Sequence, residues 1–293
     1  MLPEIDLAWT IRWGIIAGSL SLYYIVFSLG LVLTFGLHKV INFAHGAIYM
    51  VGAYIGLSVY TLTGNFGAAL IAGFAGPFAL GALLERSLIS RLYGADPASS
   101  FLVTFGLSFV LVGLVKTIAT ARYQAFSVPG LLAERLDILG ATILSYRVFF
   151  IGIALLIIIL VYLFLTKTKV GSIVRAGTVN STAVEVLGIN IKNYFTLMFG
   201  IGSGLAGITG VLFAPLFNVY PTMGDEILLW AFIIVIIGGL GSFWGSIAGA
   251  VIIGILHSLG SLVFGEYVMF ATYVLLIIVL SVRPTGIFGG RET

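Results

Sequence analysis

Charged residues are absent from long stretches of this chain, and the spacing of those stretches constrains the fold more than any other feature. No Asp, Glu, Lys or Arg lies between Arg12 and Lys39. A helix needs about 20 apolar residues to cross the hydrocarbon core of a bilayer. Seven charge-free stretches occur, and two of them are long enough for two spans each. The other six stretches are Val40–Leu84, Pro97–Val115, Val148–Thr166, Asn193–Gly224, Ile227–Gly265 and Tyr267–Val282.

These stretches predict an all-α, polytopic membrane bundle of about eight to ten transmembrane helices, in a single domain over residues 1–293. Only 9% of the residues are charged, far below the roughly 25% of a soluble domain. A transmembrane barrel would instead show short alternating segments. The nine predicted spans are Thr10–Phe35, Phe43–Thr61, Phe66–Leu88, Ser99–Thr120, Arg147–Thr166, Lys192–Phe213, Ile227–Ser242, Gly245–Phe264 and Tyr267–Val282.

Lys and Arg set the expected orientation, because cytoplasmic loops carry more of them than external loops. With nine spans, one set of helix ends and loops carries nine of the 14 positive residues, and the other carries five. The richer side includes the loop 167–191 and the C-terminus. We therefore expect the N-terminus outside and the C-terminus in the cytoplasm of a multi-pass inner-membrane protein. The excess of basic residues reflects this bias and does not indicate nucleic-acid binding.

Several kinds of chemistry have no support in the sequence. There is no phosphate-binding loop, since Gly-Lys occurs nowhere, and no nucleophile–base pair is apparent. Cysteine is absent, and the three histidines are too scattered to predict a metal site. No acid lies near the centre of a predicted span, where an ion-coupled carrier usually holds one. The sequence thus predicts no enzyme, cofactor or metal centre, and it assigns any energy source to a partner.

The first informative motif surrounds the start of the second predicted span. Asn42 is placed to cap this helix by accepting hydrogen bonds from the backbone amides of Ala44 or His45. His45 and Tyr49 lie four residues apart, on one helix face. Asn42, His45 and Tyr49 are therefore the candidate residues of a polar solute pathway. A structural role for the histidine, satisfying a polar neighbour inside the bundle, stays open.

The second motif lies in the loop 167–191, which is predicted to be cytoplasmic. Thr182 and Glu185 have the spacing of a capping box, and Gly188 is a typical helix stop. Ala183, Val184 and Leu187 would form a small apolar face on a helix too short to be stable alone. With Arg175 nearby, this element suits docking onto a cytosolic partner. A solvated connector is the alternative.

At these residues the chain resembles the branched-chain amino acid type of ABC importer permease, in its H-type subunit. The resemblance extends from about residue 12 to residue 290 and is carried by five motifs. They are Asn42-Phe43-Ala44-His45-Gly46 through Gly52-Ala53-Tyr54, Gly171…Arg175-Ala176 through Leu187-Gly188-Ile189-Asn190, Gly204-Leu205-Ala206-Gly207, Gly238-Gly239-Leu240-Gly241-Ser242, and Arg283-Pro284-x-Gly286-Ile287-Phe288-Gly289.

The resemblance implies a complex in which this subunit pairs with a second, related permease. Two cytoplasmic ATPase subunits would drive it through the loop 167–191, and an extracytoplasmic solute-binding protein would deliver cargo. The cargo would be branched-chain or other amino acids. Similar permeases for urea, short amides or small organic acids are alternatives within the family. An ATPase-independent channel or secondary transporter is the alternative from another class.

Overall fold

The computed structural model describes residues 6–38, 40–119 and 122–289 of the chain. Eleven α-helices and one two-stranded hairpin occur within these ranges. The helices are α1 (Leu7–His38), α2 (His45–Thr63), α3 (Phe66–Ser87), α4 (Pro97–Ala119), α5 (Ser145–Lys167), α6 (Lys169–Val179), α7 (Ser181–Val186), α8 (Ile191–Phe217), α9 (Met223–Gly238), α10 (Phe243–Phe264) and α11 (Val268–Val282). The antiparallel strands are β1 (Arg135–Ile138) and β2 (Ala141–Leu144).

Each of the nine predicted spans corresponds to one long helix, which confirms the polytopic helical fold. The largest difference is at α9, which begins at Met223 and ends at Gly238 rather than running from Ile227 to Ser242. The prediction excluded Asp225 and Glu226 from the helix because they are charged. Both lie in its first turn, where acidic side chains interact favourably with the positive end of the helix dipole.

Within the described ranges, seven helical stretches are long and apolar enough to cross a membrane. The last of them, Phe243–Val282, contains both α10 and α11 and spans 40 residues. Helix α9 has 16 residues, which at 1.5 Å per residue gives about 24 Å, short of a hydrocarbon core of roughly 30 Å. Helix α11 is shorter still, with 15 residues, so the bundle mixes full-length spans with shorter helices.

Two groups of three helices pack around one another in the same way. Helix α1 packs on α10, and α8 packs on α3 in the same way. Helix α2 contacts α8, helix α9 contacts α1, and α2 and α9 also contact each other. Exchanging α1–α2–α3 for α8–α9–α10 leaves this pattern unchanged. If α1 to α5 each cross the membrane, the two groups run in opposite directions, which is the arrangement of an inverted repeat. Helices α1 and α8 are the most buried long helices, and α4, α5 and α11 lie at the periphery.

Glycine allows the central helices to approach closely. A Cβ atom on Gly52 of α2 would lie 2.2 Å from the Cα atom of Gly207 of α8, closer than any real contact. Similarly, a Cβ atom on Gly249 of α10 would lie 2.5 Å from the carbonyl oxygen of Ile234. Small residues are a common means of helix association in membranes.

The glycine-rich segment after α9 forms a tight turn. Gly239 and Gly241 adopt positive φ angles of 109° and 79°, which glycine tolerates without steric cost. The Ser242 hydroxyl then accepts a hydrogen bond from the Gly245 amide at 3.0 Å and so caps α10. The C-terminal motif closes this turn, since the Phe288 amide donates to the Gly238 carbonyl at 2.9 Å.

The segment between α4 and α5 holds the hairpin, which an all-α prediction does not include. Leu139 and Gly140 form its two-residue turn, and both have positive φ angles, of 53° and 86°. Before the hairpin, Pro129 leads into a short 3-10 helix at Gly130–Leu132. The hairpin is a small addition on one end of a helical bundle.

Candidate transport pathway and coupling surface

The connection between α1 and α2 enters the helix bundle instead of staying at its end. Asn42 is 1% exposed, and its Oδ1 atom accepts a hydrogen bond from the Ala44 amide at 3.0 Å. The predicted hydrogen bond to the Ala44 amide is thus present, but Ala44, not Asn42, occupies the N-cap position of α2. The side-chain amide nitrogen of Asn42 is buried without a hydrogen-bond partner. On the other side of the connection, the Thr104 hydroxyl of α4 donates to the Ile41 carbonyl at 3.3 Å. The segment is therefore held between α2 and the peripheral helix α4.

His45 begins α2 and is fully enclosed by protein. Its Nε2 atom lies 3.3 Å from the carbonyl oxygen of Phe27 in α1, and since a carbonyl can only accept, Nε2 carries the hydrogen. The Nδ1 atom is buried without a partner. The ring occupies space left by Gly30, where a Cβ atom would lie 3.0 Å from the imidazole. In this conformation His45 fastens α2 to α1 and is not open to solvent.

Tyr49 lies one turn further along α2 and, unlike His45, lines a cavity between the helices. Its hydroxyl is 2.9 Å from the hydroxyl of Tyr23. Of the three predicted pathway residues, Tyr49 alone is among those that line this cavity. The structure therefore separates the predicted residues into one that lines the cavity and two that do not, although all three are buried.

The cavity lies between α1, α2, α8, α9 and α10 and has a volume of about 90 Å³. It is lined mostly by aromatic and apolar side chains, with one carboxylate, from Glu226. The Tyr24 hydroxyl lies 2.6 Å from Nδ1 of His257, and the rings of Trp230 and His257 are 4.6 Å apart. The lining residues are Leu20, Tyr23, Tyr24, Tyr49, Phe213, Phe217, Asn218, Tyr220, Met223, Glu226, Ile227, Trp230 and His257.

The mouth of this cavity includes the segment between α8 and α9. Tyr220 lies in that segment, and its burial, followed by the charge of Glu226, raises the pKa of its phenol. The phenol therefore stays protonated at neutral pH. The first turn of α9 meets the first turn of α2 here, because a Cβ atom on Gly224 would lie 2.0 Å from the carbonyl oxygen of Gly46. The amino ends of two helices thus converge beside the cavity.

The sequence-based prediction missed all the cavity residues except Tyr49, including Tyr24, Glu226, Trp230 and His257. Polar aromatic residues inside a charge-free span were the available signal, as at Tyr23 and Tyr24. The positions that meet are far apart in the chain, since Tyr24 and His257 are separated by 233 positions. No local pattern in a single sequence indicates such a contact.

Glu85 bears on the alternative of ion-coupled transport, because it is a carboxylate with only 1% exposure. It lies in the last turn and a half of α3, near the helix end as predicted. Its two oxygens accept hydrogen bonds from the hydroxyls of Tyr93 and Thr196. These partners tie α3 to α8, and the arrangement favours a structural role over a proton relay.

The loop 167–191 contains helices α6 and α7, as its helix-forming sequence predicts. Helix α6 is capped by Thr168, whose hydroxyl accepts from the Gly171 amide at 3.0 Å. Its inner face fits closely, since a Cβ atom on Gly171 would lie 2.2 Å from the Leu165 carbonyl oxygen. Arg175 lies on the exposed side, with its guanidinium 3.5 Å from the Ser172 hydroxyl.

The predicted capping box of α7 is wrong in its cap residue. Asn180 caps this helix, and its Oδ1 atom accepts from the Ala183 amide at 3.0 Å. Thr182 therefore lies inside the helix, and Asn is at least as good a cap as Thr. The predicted stop is confirmed, since Gly188 follows the helix with a φ of 79° and donates its amide to the Glu185 carbonyl.

The apolar face predicted for α7 also needs correction. Val184 is only 5% exposed and joins the core of the subunit, so it does not face the cytosol as predicted. Leu187 is 78% exposed, and Ala183 and Glu185 are exposed as well. Two further valines, Val179 and Val186, are 88% and 82% exposed and were not predicted. Helix α7 therefore buries the side that faces the rest of the subunit and exposes the opposite side to solvent.

We refer to Val179, Ala183, Val186 and Leu187 as the coupling patch. These residues lie on α7 or directly beside it, and all four are exposed. Exposed large hydrophobic residues grouped together mark an interaction surface more often than scattered single ones do. The role of the patch, with that of Arg175, stays a prediction.

Asn42→Ala and His45→Ala are expected to affect different properties. Asn42→Ala removes the hydrogen bond to the Ala44 amide, which by analogy with helix caps costs about 1 kcal/mol, and it should lower the amount of folded subunit. His45→Ala, if the histidine lies on the solute route, should leave assembly intact and slow uptake. Subunit abundance and uptake are measured in parallel for both variants. Normal uptake by a well-expressed His45→Ala protein would assign the histidine a structural role alone.

The fold and this cavity define a multi-pass helical membrane transport protein. The comparison with known families makes the class specific: the family described as the permease component of the branched-chain amino acid transport system matches residues 15–280. The chain belongs to that family. Its characterised relatives are named as transport permeases, not as enzymes.

Several relatives match nearly the whole chain. The high-affinity branched-chain amino acid permease BraD of Pseudomonas aeruginosa is 29% identical, over 95% of this chain and 94% of its own. The permease LivH of Escherichia coli K12 is 28% identical over the same shares. The fructose import permease FruF of Bifidobacterium longum is 29% identical, over 86% of this chain and 72% of its own. No solved structure matches this chain.

Proposed function

We propose that this chain is the transmembrane permease subunit of an ATP-driven importer for branched-chain or other amino acids in the inner membrane. The observation that carries the proposal is membership of the permease family over residues 15–280. BraD and LivH, named as branched-chain amino acid permeases, match nearly the full chain and support this substrate class. The sequence lacks a phosphate-binding loop, so ATP hydrolysis is assigned to two cytoplasmic partner subunits.

The coupling patch supports an ATPase contact. It lies on the loop 167–191, which carries three Lys or Arg residues against one acid, a balance that favours a cytoplasmic location. Helix α7 has six residues and would not persist alone, yet its inner side is held through Val184 and its outer side carries Leu187. A groove on an ATPase subunit would cover Leu187 and the exposed valines. ATP-driven closure of the ATPases would then move α6 and α7 and switch the pathway between its two sides.

An arginine-lined cleft on the opposite side supports delivery by a solute-binding protein. Arg12, Arg135 and Arg147 surround a cavity of about 390 Å³ between α1, the hairpin and α5. Arg147 donates to the Ser19 hydroxyl at 3.0 Å and is thereby fixed in place. A cleft with three guanidinium groups attracts carboxylates, so an acidic surface of the binding protein is the expected ligand. A second, related permease would complete the membrane part of the complex.

The substrate assignment has a specific competitor. The match to FruF, named as a fructose permease, makes a sugar or another small polar solute the second candidate. Reconstituted complexes supplied with their binding protein distinguish the candidates through uptake of labelled leucine in competition with fructose and urea. We expect leucine uptake to resist both competitors. Uptake of fructose or urea without uptake of any amino acid would contradict the assignment.

A single cysteine tests the proposed orientation, because the chain has no cysteine of its own. Ser172 is exposed on α6, and Ala133 is exposed in the loop before the hairpin. In intact spheroplasts an impermeant thiol reagent should label Ala133→Cys and spare Ser172→Cys. Permeabilised membranes should allow labelling of both. Labelling of Ser172→Cys in intact spheroplasts would invert the topology and remove the cytoplasmic assignment of the coupling patch.

A further inference from the structure

The cavity between α1, α2, α8, α9 and α10 has a charge pattern that matches a particular kind of solute. Glu226 is exposed within it, in the first turn of α9, and forms no ion pair with any cation of the described ranges. The described lining residues include no Lys or Arg. A lone carboxylate facing an aromatic-walled space favours a positively charged group, since ring faces also attract cations.

A hydrogen-bond donor on the same cavity has no partner. Trp230 is 4% exposed and lies among the lining residues, and its indole nitrogen is buried with no hydrogen-bond acceptor in reach. An indole nitrogen can only donate, and leaving a buried donor unsatisfied costs free energy. Most buried polar groups in proteins have partners, so a ligand oxygen is a natural acceptor here. Glu226 and Trp230 are one helical turn apart on α9, four residues apart in sequence.

The rest of the wall is apolar. Phe213 stacks on Tyr23 with ring centroids 3.5 Å apart, and Phe217, Leu20 and Ile227 continue the surface. The space of about 90 Å³ is small, and it suits the charged end of a compact solute rather than a large polar molecule such as a sugar. The Glu226 carboxylate, which attracts cations, and the Trp230 indole N–H, which can donate to anions, therefore both lie next to an apolar surface.

We propose that this cavity is a transit site for an α-amino acid zwitterion with an apolar side chain. Glu226 receives the ammonium group, Trp230 donates its indole N–H to the carboxylate, and the apolar wall contacts the side chain. The inference rests on the proposed function, because it takes amino acids as the transported solutes. It adds a binding site inside the permease, distinct from the solute-binding protein. The site lies beside the close contact between the first turns of α2 and α9, at Gly46 and Gly224.

Three probes separate the two charged contacts in the purified complex, held in nanodiscs without binding protein or ATP. L-leucine carries both charges, 3-methylbutylamine lacks the carboxylate, and 4-methylpentanoate lacks the ammonium group. Glu226→Gln should weaken leucine and amine binding by roughly tenfold or more and should not weaken binding of the acid. Trp230→Phe should weaken leucine and the acid while sparing the amine. Calorimetry measures all three affinities.

Asp225→Asn is the matched control for Glu226→Gln. Asp225 occupies the same first turn and contributes the same charge to the helix end, but it lines a different groove, beside Lys116 of α4. We expect Asp225→Asn to bind all probes like the wild type. Equal losses for all three probes in Glu226→Gln, or unchanged leucine affinity, would overturn the transit site.

Uptake by the same complexes keeps the two proposals apart. Wild-type leucine uptake by Glu226→Gln, together with unchanged binding, would remove the transit site and leave the importer function standing. A wild-type complex that imports no amino acid but carries another solute would remove the proposed substrate, and the transit site with it.

Discussion

Leu187→Asp is expected to abolish ATP-driven uptake while the subunit still inserts, folds and pairs with its sister permease. Leu187 is 78% exposed, so the substitution meets no packed neighbour in the subunit itself. In a complex the new carboxylate would be buried against the ATPase without a partner, and an unpaired buried charge costs several kcal/mol. Each 1.4 kcal/mol lowers affinity by about tenfold. Co-purified ATPase and uptake stimulated by the binding protein are the two measurements.

Two further substitutions serve as controls for Leu187→Asp. Leu131→Asp changes a leucine that is 95% exposed in the loop before the hairpin, and it should leave ATPase binding unaffected. Val184→Asp places a charge where the side chain is 5% exposed, and it should reduce the amount of folded subunit. Wild-type uptake by Leu187→Asp would refute the coupling assignment. Failure of Leu187→Asp to insert would show that the residue has a structural role.

Gly52→Val is expected to prevent stable packing of helix α2 against helix α8. The added side chain would have its Cβ atom 2.2 Å from the Gly207 Cα atom, and a backbone cannot rotate away as a side chain can. Overpacking typically costs about 1–3 kcal/mol, and a backbone clash should exceed that range. A large fall in the thermal unfolding temperature in detergent, or loss of the folded subunit, is the expected result.

Gly106→Val on α4 is the matched control for Gly52→Val. It makes the same change in a long apolar helix, but nothing lies within 4 Å of a Cβ atom at position 106. Its unfolding temperature should remain close to that of the wild type. Equal stability of the two variants would mean that α2 and α8 do not pack through Gly52 and Gly207.

Most of the fold follows from the sequence because a bilayer imposes a strong constraint on charge. Lipid-exposed spans exclude unpaired charges, so each charge-free stretch gives one helix or two. The same criterion failed at Asp225 and Glu226, which are tolerated in α9 because they lie in its first turn. The hairpin β1–β2 was missed because a loop between spans is free of the membrane constraint.

The candidate sites were less predictable. Asn42, His45 and Tyr49 were singled out by a local motif, and all three are buried, but only Tyr49 lines the cavity. Val184 was assigned to the exposed face of α7, because a one-turn helix gives too short a pattern to tell its two sides apart. Glu226 and Trp230 could be recognised as cavity residues only from the packing of α9 against α1 and α10.

The most direct test of the proposed function is co-purification of the tagged chain from membranes of its native host, with Leu187→Asp as the control. An ATP-driven importer predicts that the wild-type chain brings down a second permease and two ATPase subunits. It also predicts that Leu187→Asp retains the permease and loses the ATPases. A wild-type chain that is isolated without any ATPase, yet carries solute in liposomes without ATP, would contradict the account and favour an independent channel or secondary transporter.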